Sequence, residues 1–491
     1  MAIAPPVSPA PVPAPAVPPA PLHTVTTSLS DKDVAAQATH LKDLQANIFK
    51  HHGRDNAAHV FLKFKAGKTV DAKTWIKNKL EPRLTSAKKQ LDDAIAFRKK
   101  KIDGGPLWSL LLSAKGYTYL GYDVTKLDLT FQNGIKASVS RLKDPPVTDW
   151  EPWAKKEIHA MILIADSEAA NVQFIAMALA SELDSFADVL HVEFAHQQRN
   201  KRGNGIEHFG YVDGRSQPIM LEREMDEEFD GTSLFDPSAG PAQVLVSDPF
   251  GAPGASGSYF VFRKLEEKVR SFKIHEQELA TALGLTGDER ELAGALVIGR
   301  FEDGTPVTLS KKPLIESSPE PNKKSVPNNF TYELDKLGAK CPFHSHIRKS
   351  NPRGFSPGGI AFDQSRRMAR RGLTYGERTD DGSNIANMPE DGVGLLFMAF
   401  QQNIADQFEF IQQAWVNDPK FPTMPPPSSR PTTVGTGIDP VLGQHAPGVA
   451  PVQHWPNVWD EAPGVPVPFS FADFVVMKGG EYFFAPSLSS L

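Results

Sequence analysis

One cysteine, Cys341, stands among 491 residues. A single thiol excludes an intramolecular disulfide and a four-cysteine metal site. Long apolar runs are also missing. No stretch of about 20 apolar residues exists, so the sequence offers no membrane-spanning helix. Charge of one sign is scarce: 53 Lys and Arg face 58 Asp and Glu, for a net charge of −5. That balance gives no reason to expect nucleic acid as a partner. The N-terminus has no basic leader, helical apolar core or twin arginine, so a cytoplasmic location is expected.

Proline, by contrast, is plentiful. Proline, alanine and valine alternate from Pro5 to Pro21. Such a run favours an extended polyproline II arm. Residues 1–38 therefore read as a disordered arm, with docking to a protein partner as the sharper alternative. The whole chain is 40% hydrophobic and 23% charged, which suits a large globular protein of two or three domains.

Two halves share a rhythm. His59–Phe64 and Glu157–Ala165 read as strands in the first. A helix follows, entered through Asp166–Ser167, with Val172, Ile175, Leu179 and Leu183 on one stripe. Gly257–Leu265 and Gly394–Phe400 read as strands in the second half. A helix again follows, with Ile404, Phe408, Ile411 and Trp415 on its stripe. Each half fits an α+β sandwich, a sheet with helices on one face. The expected boundaries are 39–225 for the first domain, 226–256 for a linker and 257–491 for the second. Residues 418–468 carry many prolines and are expected to wrap the surface near the site.

Three segments carry the chemistry. Gly210–Pro218 (GYVDGRSQP) sets Asp213 between Gly210 and Gly214. Cys341–Arg353 (CPFHSHIRKSNPR) sets His344 and His346 among cations, and Met368–Gly376 (MARRGLTYG) contains Arg370. Taken alone, each has a bland reading. Val-Asp-Gly-Arg is an ordinary turn sequence, and the two histidines could be solvated. Cys341, His344 and His346 could also hold zinc, but their spacing is unusual and no fourth ligand is near. Chemistry alone does not choose between His344 and His346.

Together the segments resemble the dye-decolorising peroxidases, a family of haem enzymes. Gly210, Asp213 and Gly214 match its Gly-x-x-Asp-Gly motif. His346, Arg348, Asn351, Pro352 and Arg353 match its His-x-Arg-x-x-Asn-Pro-Arg motif. The resemblance runs from about Leu41 to the C-terminus and includes Gly299–Pro306, Asp439–Gln444 and Gly479–Pro486. It implies two ferredoxin-like domains of the dimeric α+β barrel type, with haem in the C-terminal half. It implies one non-covalent haem b per chain; the missing Cys-x-x-Cys-His excludes covalent c-type attachment. His346 is then the iron ligand, Asp213 the acid that moves a proton and Arg370 the fixed cation. Gly210 and Gly214 would let backbone approach the flat cofactor. Arg348 would meet a propionate, and Leu395 and Phe397 would cover the distal face. Asn403 occupies the position where the family often places the acceptor behind the ligating histidine.

The implied activity is reduction of hydrogen peroxide with one-electron oxidation of dyes, phenols or similar aromatics. A haem carrier or iron-releasing protein is the alternative; Asp213 and Arg370 together favour the enzyme. Trp415, Trp455, Trp459 and Tyr375 are the aromatics placed to oxidise bulky donors at the surface. A carboxylate base starts near ~3.9 against ~6.5 for histidine, so turnover is expected to peak in acid.

Overall fold

The computed structural model describes residues 19–225, 234–315, 326–380, 382, 384–422, 436–445, 448, 451–461 and 466–491. Eight of its strands form a ring. In chain order they are β1 (Asn56–Phe64), β2 (Leu107–Leu112), β3 (Ala160–Asp166), β4 (Ala187–His196), β5 (Ser256–Glu267), β6 (Leu373–Tyr375), β7 (Gly394–Gln401) and β8 (Val475–Ala485). Their order around the ring is β5-β8-β2-β3-β1-β4-β6-β7, closing back on β5. Every pairing is antiparallel.

Each half contributes four consecutive members. The first runs β4-β1-β3-β2 and the second β8-β5-β7-β6, the same order of fourth, first, third and second strand. This repeated order is the two-domain ferredoxin-like arrangement expected from the sequence. The strands form where the sequence can be buried on both faces. β3 (AMILIAD) is buried at every residue, because the barrel core lies on one side and helix on the other. Helix α1 (Ala169–Leu183) covers β1 and β3 with Val172, Ala176, Leu179 and Leu183.

The two seams between the halves are thin. β2 meets β8 through one pair, Leu112 and Phe484. The buried Gln45 reinforces it: its Nε2 donates to Leu110 O and Pro486 O, both at 2.9 Å, and its Oε1 accepts from Leu110 N at 2.8 Å. β4 meets β6 through one pair, His196 and Thr374, and the Thr374 hydroxyl donates to His196 O.

Some expectations shift. Residues 19–38 do not stand off as an arm. Leu22 and Leu29 are buried, Leu29 N donates to Met220 O at 2.8 Å, and Ser30 caps a helix at Asp31–Ala36. Residues 1–18 lie outside the described residues. The stretch taken as a linker includes a short strand, Val246–Ser247, paired to the start of β5; residues 226–233 are outside the described residues. The helix after β7 winds as π-helix over Ala405–Glu409 and Ile411–Val416. Among the described residues no helix is long and apolar enough to cross a membrane.

Candidate active site

A cavity opens against the second half of the ring, with β5 and β7 as one wall. His346 reaches it from the start of a short helix, His346–Ser350. Three contacts fix that helix. Ser345 Oγ donates to Leu296 O, Lys349 Nζ donates to Trp415 O at 3.0 Å, and Ile347 packs on Gly299. A Cβ at Gly299 would lie 2.3 Å from Ile347 Cγ1, and its φ is +97°, so only glycine fits there.

The imidazole is oriented from behind. Its Nδ1 lies 2.8 Å from Asp439 Oδ2. The other oxygen, Oδ1, accepts the amides of Val441 at 2.8 Å and Leu442 at 3.0 Å. Burial pushes the Asp439 carboxyl up, but His346 and these amides outweigh it and hold it below the usual range. Nδ1 is thus engaged, and Nε2 makes no hydrogen bond among the described residues on the cavity side. A carboxylate–imidazole pair with one free ring nitrogen is the arrangement that presents a basic metal ligand.

The same cavity is lined by Asp213, Gly214, Arg370, Leu395 and Phe397. Asp213 sits in a loop tied by its amide to Gly205 O at 3.0 Å. Arg370 pairs with Ala399 of β7, donates its amide to Gln217 Oε1 at 2.9 Å and donates Nη2 to Arg215 O at 2.7 Å. Leu395 and Phe397 alternate on the same face of β7 and turn toward the cavity. Phe408, Ile411, Gln412 and Val416 line it from the π-helical turns. π-turns recur at functional sites.

Four sequence expectations need correction or narrowing. Asn403 does not face His346: its Oδ1 caps the following helix by accepting Asp406 N at 2.8 Å. The acceptor is Asp439, from the proline-rich stretch expected to wrap the surface near the site. Arg348 does not line the cavity. It is fully buried, bonded to Asp335 Oδ2 at 2.9 Å and Cys341 O at 2.6 Å, with Tyr332, Phe343 and Phe355 rings around it. It supports the loop that carries His346. Gly210 does not line the cavity either. Its φ is +101°, and a Cβ there would meet Glu302 Cδ at 3.3 Å, so it serves the turn. Of the four aromatics, Trp415, Trp455 and Tyr375 are buried, and only Trp459 is partly exposed.

Cys341 and His344 are buried apart from the cavity, and His344 stands edge-on to Trp455 at 4.3 Å. They form no metal cluster with His346 among the described residues. The Arg348–Asp335 pair is sealed, at 0% and 4% side-chain exposure. Asp335→Ala should strand a buried cation and cost about 3–5 kcal/mol. A thermal midpoint close to wild type would show that the pair is solvated.

Besides Arg370, the cavity is reached by Arg353 of the Asn-Pro-Arg run and by Arg367, which the sequence leaves open as either solvated or a propionate partner. Arg353 donates to Asn328 O, Phe330 O and Asn328 Oδ1 at 2.6–2.7 Å, and Arg367 donates to Ser238 O at 2.7 Å. With Arg370 they line the cavity, and all their bonded partners are neutral. Burial pulls Arg353 and Arg367 down to about 10, which leaves both cationic at neutral pH. Arg353 closes the Asn-Pro-Arg run, a usable signal; nothing marks Arg367 apart from its neighbours.

Residues 43–196 match the DyP dimeric alpha+beta barrel domain, and residues 221–422 match the Dyp-type peroxidase C-terminal domain. The multifunctional dye peroxidase DyP2 of Amycolatopsis sp. is 44% identical over 481 residues, covering 95% of this chain and 98% of that protein. Its solved structure aligns with a TM-score of 0.87 at 42% identity, over 95% of this chain and 98% of that one. A DyP-type peroxidase of Anabaena sp. aligns with a TM-score of 0.84 at 38% identity, over 96% and 97%.

Proposed function

We propose, for a chain that belongs to the dye-decolorising peroxidase family and is therefore a haem-dependent peroxidase acting on dyes, how its own residues divide the work. His346 holds the iron through Nε2, Asp439 sets its orientation and basicity, Asp213 moves the proton and Arg370 steadies charge. The single observation that carries this reading is His346: one ring nitrogen is fixed on Asp439 and the other is left to the cavity.

The cavity suits haem b in a second respect. A metal-ligating imidazole faces an apolar slot formed by Leu395, Phe397, Phe408 and Ile411, as a flat macrocycle needs. Arg353 and Arg367 offer cations with neutral partners, as two propionate carboxylates need. When bound, haem supplies the iron at which peroxide is activated and the redox store that donors refill. The protein supplies the rest. Asp213 accepts the proton of one peroxide oxygen and hands it to the other, which leaves as water. Negative charge grows on that departing oxygen, and Arg370 stabilises it without rearrangement. Leu395 and Phe397 narrow the distal side to the scale of peroxide. Bulky dyes then give up electrons elsewhere, and phenols and related aromatics are the proposed donors. We place one haem b per chain, held non-covalently.

The test is a spectrum of the pure protein before and after one equivalent of peroxide. A Soret band that shifts on peroxide and returns on adding dye supports the reading. A band that ignores peroxide favours the haem-carrier alternative. Haem removal should also lower the thermal midpoint, because ligand at about 1,000 times its Kd stabilises the fold by about 4 kcal/mol. Equal midpoints with and without haem would mean that the arginines do not meet its carboxylates.

A further inference from the structure

Two carboxyl groups share the cavity wall with Asp213, and the roles assigned above use neither. Glu267 ends β5 and is 3% exposed; its Oε2 accepts the His208 amide at 3.0 Å. Glu207 opens the loop that carries Asp213. Its Oε2 accepts Phe209 N at 2.6 Å and its Oε1 accepts Tyr211 N at 2.8 Å. The side chains of Glu207 and Glu267 are in hydrogen-bond contact with each other.

Two carboxylates in that contact repel, and neither brings a proton to bond with. One proton between them removes both problems. The surroundings act the same way. Burial raises both groups, Glu207 raises Glu267, and the charge of Asp213 raises both. Backbone amides oppose this, as does Lys273, whose ammonium is already engaged by Glu276 at 3.0 Å and Glu302 at 2.6 Å. Arg378, which donates to His208 O at 2.7 Å, and the cavity arginines are the other cations of this wall, while His208, Tyr211 and Tyr375 add none at neutral pH. Burial holds the His208 imidazole down at about 4, Tyr211 donates its hydroxyl to Glu276, and burial keeps Tyr375 un-ionised.

The peroxidase reaction has a use for a stored proton. Reducing one hydrogen peroxide to two waters takes two electrons and two protons. Asp213 moves a proton that peroxide already owns, so it returns unchanged and supplies neither. Electrons that reach the site through protein bring none. We propose that Glu207 and Glu267 hold one proton between them and pass it by way of Asp213 to an oxygen of peroxide during donor oxidation. The pair then regains a proton from solvent. Glu207 is suited to the outer position because it keeps some accessible surface, whereas Glu267 is enclosed. This assignment rests on the peroxidase reading of the same cavity. Both residues act through Asp213, so they are positioning and relay groups.

The primary experiment does not depend on turnover. Infrared spectra of the haem-loaded protein, stepped across neutral to alkaline pH, report the carbonyl stretch of a protonated carboxyl. Wild type and Asp213→Asn should both show this band at neutral pH, and Glu267→Gln should lose it. The glutamine amide donates to Glu207 and lets it ionise. A wild type without the band, or a Glu267→Gln protein that retains it, overturns the proposal, while the peroxide-induced Soret change still tests the parent reading.

Stability gives an independent check. A carboxyl raised in the fold stabilises it in acid, and that contribution is lost as pH rises through the folded value. Glu267→Gln should therefore gain thermal midpoint relative to wild type as pH rises above neutral. A difference that does not change with pH counts against the shared proton. In steady state, Glu267→Gln should lower kcat for dye by about tenfold and move its alkaline limb to lower pH. The second-order rate with peroxide should change far less. Equal losses in both would mean that Glu267 only props the Asp213 loop, and the relay assignment falls.

Discussion

His346→Ala should emerge from purification without haem, or with affinity lowered by well over the roughly 10- to 100-fold typical of losing an outer partner. The same comparison separates it from its neighbour two residues away. His344 is 1% exposed and packs edge-on against Trp455, so His344→Ala should keep its Soret band and lose about 2–4 kcal/mol of stability. Asp439→Ala should fall between them: haem retained, but bound about 10- to 100-fold more weakly. Haem titration followed at the Soret band, with thermal melts alongside, ranks all three. An apo-like His344→Ala protein that melts normally would reverse the ligand assignment.

Asp213→Asn should bind haem normally and react with peroxide about 10²- to 10⁴-fold more slowly, the usual loss when a positioned acid–base group is removed. Arg370→Leu should lose about 10²- to 10³-fold through missing charge stabilisation. Arg370 also donates to Arg215 O, on the loop of Asp213, so the two losses should add less than independently. Stopped-flow mixing with peroxide measures each single variant and the double variant. An Asp213→Asn protein reacting at the wild-type rate would move the proton transfer to Arg370 or to water.

The fold was legible where burial writes a pattern. The runs that became β1, β3, β5 and β7 are apolar enough to be buried on both faces, and each was found within a few residues. Ring closure left no such trace, because each seam is one cross-strand pair and depends on a side chain far away in sequence. The π-helical turns were also hidden. Ile404, Phe408, Ile411 and Trp415 are spaced by four, three and four, which an α-helix and a π-helix satisfy almost equally.

The site was legible in the motifs and obscure around them. Asp213, Arg370, Leu395 and Phe397 all reach the cavity that His346 enters. The partner of His346 lies 93 residues away, in a stretch without periodicity, so no local rule pointed to Asp439. Asn403 was a plausible acceptor by position, but an amide one turn ahead of a helix more readily caps it. Arg348 shows the same ambiguity in charge: a guanidinium beside a ligand reads alike whether it faces a carboxylate in the cavity or one in the core. Asp335, thirteen residues upstream, decided the matter.

The two seams also set how the molecule comes apart. Within each half, neighbouring strands are laced along most of their length; between halves, each seam is a single cross-strand pair, and the buried Arg263–Asp144 and Lys264–Glu193 ion pairs add ties across the barrel. Opening a seam therefore also means parting those pairs and the hydrophobic core that the halves share. The cavity straddles the same division, lined by Asp213 from the first half and by His346 from the second. A molecule parted there would lose Asp213 from its cavity while His346 kept its bond to Asp439. Loss of the peroxide reaction is then an earlier marker of damage than loss of colour.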